Sequence, residues 1–189
     1  MRTDAHSSIS PISDISPKPE SLCSLRDLAF PSFLDTSSNN LIDEFFTPAL
    51  AHSNRYDRGV GFFSSGWLRI AAQGMVAFAA NGGRSRWVTS PILNEHDWEA
   101  MQAGDSARSD SALRAALGRN IGSLATALEK DTLSALAWMV ADEILDFKLA
   151  LPHNKLDRGD FHDKFGVFSD AEVSKACCGA PFVGVQHAN

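Results

Sequence analysis

The sequence predicts an α/β domain, that is, a mixed sheet flanked by helices. Over residues 57–90 a short apolar strand, a helical segment and a second strand follow one another. Such a unit joins its two strands in parallel through a right-handed crossover. Residues 145–151 alternate apolar and polar side chains, which predicts a further strand. With 189 residues the chain is long enough for one domain with a hydrophobic core.

Composition divides the chain into three regions. Residues 1–24 are rich in serine and proline and show little periodicity, as is typical of a disordered tail. Residues 25–172 are predicted to form the folded domain. Residues 173–189 end in an unusual polar sequence and are interpreted as an atypical C-terminal tail.

The first predicted element is a helix that Asn40 can cap. Its apolar side chains share one helical face; they are Leu41, Ile42, Phe45, Phe46, Ala49 and Leu50. The first strand spans residues 57–63. It ends in Ser64-Ser65-Gly66, where the next helix begins.

Apolar residues keep helical spacing from Trp67 to Ala79. Asn81-Gly82-Gly83 ends this helix, because these residues tolerate left-handed backbone geometry. Residues 86–90 are predicted to form the second strand of the unit.

A helical region separates this unit from the later strands. Asn94 can cap a short helix carrying Trp98, and the polar residues 101–110 are predicted to break the helical structure. Residues 113–128 carry the pattern of one long amphipathic helix, and another helix starts near Asp131. These helices are expected to pack into the core.

Charge, cysteine content and hydropathy argue against several classes of protein. The formal net charge is −6, which argues against a module that grips nucleic acid on its own. Cys23, Cys177 and Cys178 suit neither a disulfide framework nor a spaced zinc site, which favours a reducing compartment. No apolar run is long enough to span a bilayer, and no signal peptide is recognisable. We therefore expect a cytoplasmic protein without a membrane partner.

Four arginines flank the first two strands. They are Arg55, Arg58, Arg84 and Arg86. Charged residues usually face water, so these side chains are expected to be solvated strand ends rather than phosphate contacts.

The most informative segment is His162-Asp163-Lys164, which an apolar run follows at once. A turn containing Pro152 and Gly159 is predicted to lead into it. If the segment is extended, His162 and Lys164 project from the same side. An imidazole beside a fixed ammonium suits attack on a phosphodiester, because the ammonium can hold phosphate oxygens.

This segment resembles the His-x-Lys motif of the phospholipase D-like superfamily, in which four further residues and an aspartate follow. The spacing places Ser169 where the family has aspartate, and Asp170 comes one residue later. A one-residue slip in a strand reverses the face of a side chain. The resemblance extends over about residues 40–172.

A second match to the bare pattern lies upstream, from His153 through Lys155 to Asp160. Pro152 and the polar residues between these positions favour a solvated turn. A catalytic pair needs a rigid element to aim it. We therefore assign the motif to His162.

The resemblance implies a metal-independent phosphodiesterase, with DNA as the expected substrate and no cofactor. In a phosphohistidine-type mechanism His162 would be the nucleophile or its acid partner, and Lys164 would clamp the phosphate. Ser64, Ser65 and Asp170 are candidates for supporting roles. The two serines can bind an anion through free N–H groups at the helix start, or simply cap that helix.

The family reaction uses two His-x-Lys motifs, and this chain offers one. A homodimer could pool two sites, or a second motif could lie in a longer parent chain. The resemblance is strongest to domains fused to helicases in bacterial DNA-processing or defence proteins, which predicts a helicase module as a partner and a chain truncated after its first motif. The alternative is a catalytically inactive truncated module that serves only in assembly. A lipid phosphodiesterase would need a membrane-facing helix, and no basic amphipathic helix is evident.

Overall fold

The computed structural model describes residues 24–121, 123–151 and 161–178, which form a five-stranded mixed sheet flanked by helices. The predicted fold class is thus confirmed at this level. The strands are β1 (Arg55–Val60), β2 (Arg84–Thr89), β3 (Leu145–Leu149), β4 (Phe165–Ser169) and β5 (Ser174–Cys178). Their order across the sheet is β3-β2-β1-β4-β5.

Strand direction reverses twice across the sheet, between β1 and β4 and between β4 and β5. β1 and β2 run parallel, as predicted, and β2 and β3 are parallel too. β4 runs antiparallel to β1, and β5 antiparallel to β4. The amino end of β4 therefore lies at the edge of the sheet where β1, β2 and β3 end. We call this the carboxyl edge.

The helices follow the predicted pattern in most places. A π-helical segment, Ile42–Phe46, continues directly into a short α-helix. The α-helices are α1 (Thr47–Ala51), α2 (Gly66–Ile70), α3 (Ala72–Ala80), α4 (Glu95–Arg108), α5 (Ser111–Ile121), α6 (Leu124–Lys130) and α7 (Thr132–Ala141). None of the helices in the described part of the chain is long and apolar enough to cross a bilayer.

Three helix predictions are wrong. The single helix predicted from Trp67 to Ala79 is divided into α2 and α3 at Ala71, whose backbone leaves the helical conformation. The polar residues 101–110 do not break α4, which continues to Arg108. The helix continues through these polar residues because small residues on α4 pack closely against α7. A Cβ on Gly104, for example, would lie 2.3 Å from the carbonyl oxygen of Ala137. The long helix predicted over residues 113–128 is divided into α5 and α6, because the backbone of Ser123 is extended.

The sheet also continues beyond the predicted domain boundary at residue 172. β5 pairs with β4 along its whole length, from Ser174 opposite Ser169 to Cys178 opposite Phe165. At the other end of the domain, Leu25 is fully buried in the core. The predicted N-terminal tail, residues 1–24, and the C-terminal residues after Cys178 lie outside the described residues except for Ser24.

One face of the sheet carries the core and the other is open to solvent. Tyr56, Trp87 and Phe168 are buried on the core face, where the rings of Tyr56 and Phe168 stack with centroids 4.3 Å apart. On the open face Arg86 donates a bidentate pair of hydrogen bonds to Asp57, from Nε to Oδ1 and from Nη2 to Oδ2, each 2.7 Å long. The Arg86 guanidinium is the main reason why the pKa of Asp57 lies below its usual range.

Arg58 departs from the prediction that the strand-end arginines are solvated. It lies on the core face of β1 and is 3% exposed. Its guanidinium carbon is 4.1 Å from the ring centroid of Trp67 and 4.6 Å from that of Trp87. Cation–π contacts of a desolvated cation contribute about 2 kcal/mol. Alternation along β1 explains the difference, since Arg55 and Asp57 point to the open face.

We predict that Gly104→Ala destabilises the protein, because the new methyl group would collide with the backbone of α7. Overpacking of this kind costs about 1–3 kcal/mol. Gly118→Ala is the matched control: a Cβ there would meet only Trp138 Nε1, at 3.8 Å. In chemical denaturation Gly104→Ala should lower the free energy of unfolding, and Gly118→Ala should leave it equal or higher. Equal stability of the two variants would contradict the close packing of α4 on α7.

Candidate active site

The site is built where β4 begins. β4 pairs with β1 in the register Gly59 to Phe165, so the residues just before β4 lie over the end of β1. The carboxyl ends of parallel strands are the usual place for ligand sites in α/β sheets. His162 and Lys164 reach this edge because β4 enters the sheet from it.

His162 and Lys164 lie side by side. Lys164 Nζ is 2.8 Å from His162 Nε2, and His162 is exposed to solvent. Both residues lie in irregular chain directly before β4, which begins at Phe165. An ammonium has only donors, so Lys164 donates and the imidazole accepts through an unprotonated Nε2. An unprotonated ring nitrogen is what a histidine nucleophile needs.

Two glycines at the end of β1 allow this segment to come close. A Cβ on Gly61 would lie 3.1 Å from both Cα and Nδ1 of His162. A Cβ on Gly59 would lie 2.3 Å from the ring of Phe165, which covers Gly59. Glycine within a strand marks such close approaches. The alternation Gly59-Val60-Gly61 was the signal in the sequence that could have revealed this contact.

Aromatic side chains border the pair. The ring of Phe62 meets the imidazole of His162 nearly edge-on, with centroids 5.8 Å apart and an interplanar angle of 74°. Phe62 is 52% exposed and Phe165 is 36% exposed. Neither phenylalanine was among the site residues predicted from the sequence, since apolar residues next to a strand usually belong to the core.

Ser64 and Ser65 lie in the loop after β1, where the N–H groups of Ser65 and Gly66 already donate hydrogen bonds within the protein. The N–H of Ser65 donates to the carboxylate of Asp97 at 3.1 Å, and the N–H of Gly66 donates to Ser64 Oγ at 3.2 Å. Asp97 is buried, so its negative charge would repel an anion at this turn. Ser64 therefore fits the capping alternative, whereas the side chain of Ser65, the N-cap residue of α2, makes no cap hydrogen bond.

Asp170 lies at the opposite end of β4 from Lys164, about 20 Å away at the rise of an extended strand. Its carboxylate accepts hydrogen bonds from the N–H groups of Leu25, Glu172 and Val173, and one from Ser24 Oγ. Asp170 thus ties the N-terminal segment to the turn between β4 and β5. The structure does not bring it to His162. Ser169, at the family's aspartate position, contacts Ser174.

The upstream pattern from His153 to Asp160 lies outside the described residues. Within residues 24–121, 123–151 and 161–178, no three His, Cys, Asp or Glu side chains converge as metal ligands would. Comparison with protein-family models, with curated proteins and with solved structures gave no significant match. The assignment of a function therefore depends on the geometry and on the motif.

We predict that Asp170→Asn destabilises the fold and flattens its dependence on pH. Desolvation raises the pKa of Asp170, but the hydrogen bonds from Val173, Glu172, Leu25 and Ser24 outweigh it and hold that pKa well below its usual range. The stabilisation is therefore complete above about pH 5 and is lost as the pH falls below about 4.

Denaturation of the wild type and the variant between pH 2 and 7 tests this prediction. At pH 7 the variant should lose about 1–3 kcal/mol, typical for hydrogen bonds to a charged group. As the pH falls below about 4 the difference should shrink progressively, because the carboxylate becomes protonated in the folded protein only at pH values well below its usual pKa. Glu129→Gln, which alters an exposed carboxylate on α6, is the control. A constant difference at every pH would show that the charge of Asp170 is not the cause.

Proposed function

We propose that the chain is a phospholipase D-like phosphodiesterase domain that acts on DNA. The observation that carries the proposal is the pair formed by His162 Nε2 and Lys164 Nζ, 2.8 Å apart at the carboxyl edge of the sheet. This edge is solvent-accessible at His162, so a phosphodiester can reach both groups. The exposed imidazole and the neighbouring ammonium are the two groups that the motif requires.

In the proposed reaction one histidine attacks phosphorus through Nε2. A P–N bond forms and the P–O bond to the leaving group breaks, while a second histidine protonates the leaving oxygen. Water then hydrolyses the phosphohistidine and restores the imidazole. The lone pair of Nε2 that accepts from Lys164 is the one that attacks phosphorus, so this hydrogen bond breaks on attack and the three donors of the ammonium turn to phosphate oxygens. Fixed positive charge of this kind stabilises the developing negative charge on the phosphorane.

The second histidine must come from elsewhere, because the sequence has one His-x-Lys motif with strand character after it. A two-fold homodimer places identical residues across its axis and supplies the missing partner. A second motif in a longer parent chain, next to a helicase module, would supply it equally well. In either assembly His162 of one motif is the nucleophile and the other histidine is the acid.

A second candidate function is a module that serves only in assembly and performs no chemistry. The observation that favours it is the position of Asp170, whose carboxylate accepts four hydrogen bonds at the far end of β4. No acid of the motif is therefore left to orient His162. Light scattering distinguishes the two candidates, since a strictly monomeric chain cannot bring two histidines to one phosphate.

We predict that the protein cleaves DNA in the presence of a chelator and that His162→Ala abolishes this cleavage. Lys164→Ala should lower the rate by two orders of magnitude or more, because it removes the charge that stabilises the phosphorane. His96→Ala is the matched control, since His96 is an exposed histidine on α4. Cleavage that stops with chelator but survives His162→Ala would refute the proposal.

We predict further that Gly61→Ala lowers the cleavage rate about tenfold or more without unfolding the protein. The added methyl would press on His162 and on the carbonyl of Phe161 at 3.1–3.2 Å. Small displacements of a reacting group have large effects on rate. The rate should fall while the melting temperature changes little, and Gly118→Ala should change neither by much. An unchanged rate for Gly61→Ala would mean that His162 is not held by this contact.

A further inference from the structure

Exposed apolar side chains lie along the carboxyl edge, where the His162–Lys164 pair also lies. Phe62 follows β1 and Phe165 opens β4, and both are exposed. Three aliphatic side chains near the carboxyl ends of β2 and β3 are exposed as well: Ile92, Leu149 and Leu151. A cluster of exposed apolar groups in one place marks a surface that another molecule covers.

The two phenylalanines stand directly beside the pair. Phe62 contacts the imidazole of His162 nearly at a right angle, so this contact occupies at most one face of the Phe62 ring. Phe165 follows Lys164 in the chain, and its ring lies over Gly59, which has no side chain to cover it. Phe62 thus contacts the histidine of the pair, and Phe165 is the chain neighbour of Lys164.

The charges around the carboxyl edge limit what can bind. The first turn of α4 lies against the loop after β1, through the hydrogen bond from Ser65 to Asp97. That turn is acidic, with Glu95 exposed and Asp97 buried, and it would repel a second negatively charged backbone or an anionic membrane. Among the described residues of β3, Lys148 is paired with Asp146 at 3.3 Å. Apolar contact beside Lys164 would add affinity that this acidic turn does not oppose.

We infer that Phe62 and Phe165 form a stacking platform for unpaired bases beside His162 and Lys164, so that the site takes single-stranded nucleic acid. This inference rests on the proposed function and names the substrate class of the same site. A single strand offers one phosphate to the ammonium and exposed bases to the rings. A duplex hides its bases and adds a second charged backbone facing α4. Stacking also explains how a chain with a net charge of −6 can bind a polyanion.

The test compares an oligothymidylate with an abasic oligomer of the same length and backbone. Fluorescence anisotropy measures both affinities on protein carrying His162→Asn, so that no substrate is consumed. The thymine oligomer should bind about tenfold tighter than the abasic one, as expected for stacked bases. Phe62→Leu and Phe165→Leu should each reduce this preference severalfold, because leucine keeps apolar surface but has no ring.

Phe33→Leu is the matched control, because Phe33 is an 80% exposed phenylalanine of the N-terminal segment. It should leave both affinities unchanged. Circular dichroism and melting confirm folding; if Phe165→Leu does not fold, Phe62→Leu decides the outcome.

Equal affinity for the thymine and abasic oligomers would overturn the inference, and so would an equal effect of Phe33→Leu. Binding to phosphatidylcholine vesicles that depends on Phe62 and Phe165, without preference for bases, would overturn it and assign the apolar rim to a lipid surface. Because binding is read without turnover, a protein that prefers bases but cleaves nothing would refute the proposed function and leave the platform standing.

Discussion

The antiparallel pairing of β4 with β1 is the constraint on which the candidate site depends. It brings the start of β4, and with it His162 and Lys164, to the edge where the parallel strands end. A parallel β4 would begin at the opposite edge, away from the loop that carries Phe62. Phe165 and His162 can approach β1 this closely because Gly59 and Gly61 have no side chains.

The core face of the sheet holds this arrangement in place. Arg58 is enclosed by Trp67 and Trp87, and the ring of Tyr56 stacks on Phe168 of β4. These contacts join β1, β2 and β4 through side chains in addition to the backbone ladder. Asp170 fastens the far end of β4 to the N-terminal segment. Both ends of β4 are therefore fixed, which gives the short segment before it a rigid support.

The sequence predicted the regular elements well where one periodicity dominates. The strand–helix–strand unit, the strand beginning at Leu145 and the helix after Asp131 are present. It failed at α4, where small residues form a close helix contact that a search for large apolar residues does not detect. The burial of Arg58 was missed because the two tryptophans that enclose it, Trp67 and Trp87, come from α2 and β2. Arg58 lay inside the predicted strand, where alternation could place it on the core face, but as a charged residue it was expected to face water.

In the candidate site, too, features set by neighbouring residues were predicted and contacts between distant segments were not. The juxtaposition of His162 and Lys164 followed from their spacing, since extended chain places alternate residues on one side. The use of the N–H group of Ser65 by Asp97, 32 residues away, did not follow from any local pattern. The role of Asp170 also depends on a distant segment, around Leu25. Contacts across the fold are not encoded in the spacing of neighbouring residues.

In the proposed reaction one imidazole attacks phosphorus while the adjacent ammonium holds the phosphate. The most direct test is rapid denaturation of the protein during reaction with DNA, followed by mass spectrometry of its peptides. We expect a phosphoramidate adduct on His162, stable in base and labile in acid. Steady DNA cleavage by protein in which His162 never carries an adduct, under conditions that preserve phosphohistidine, would contradict it.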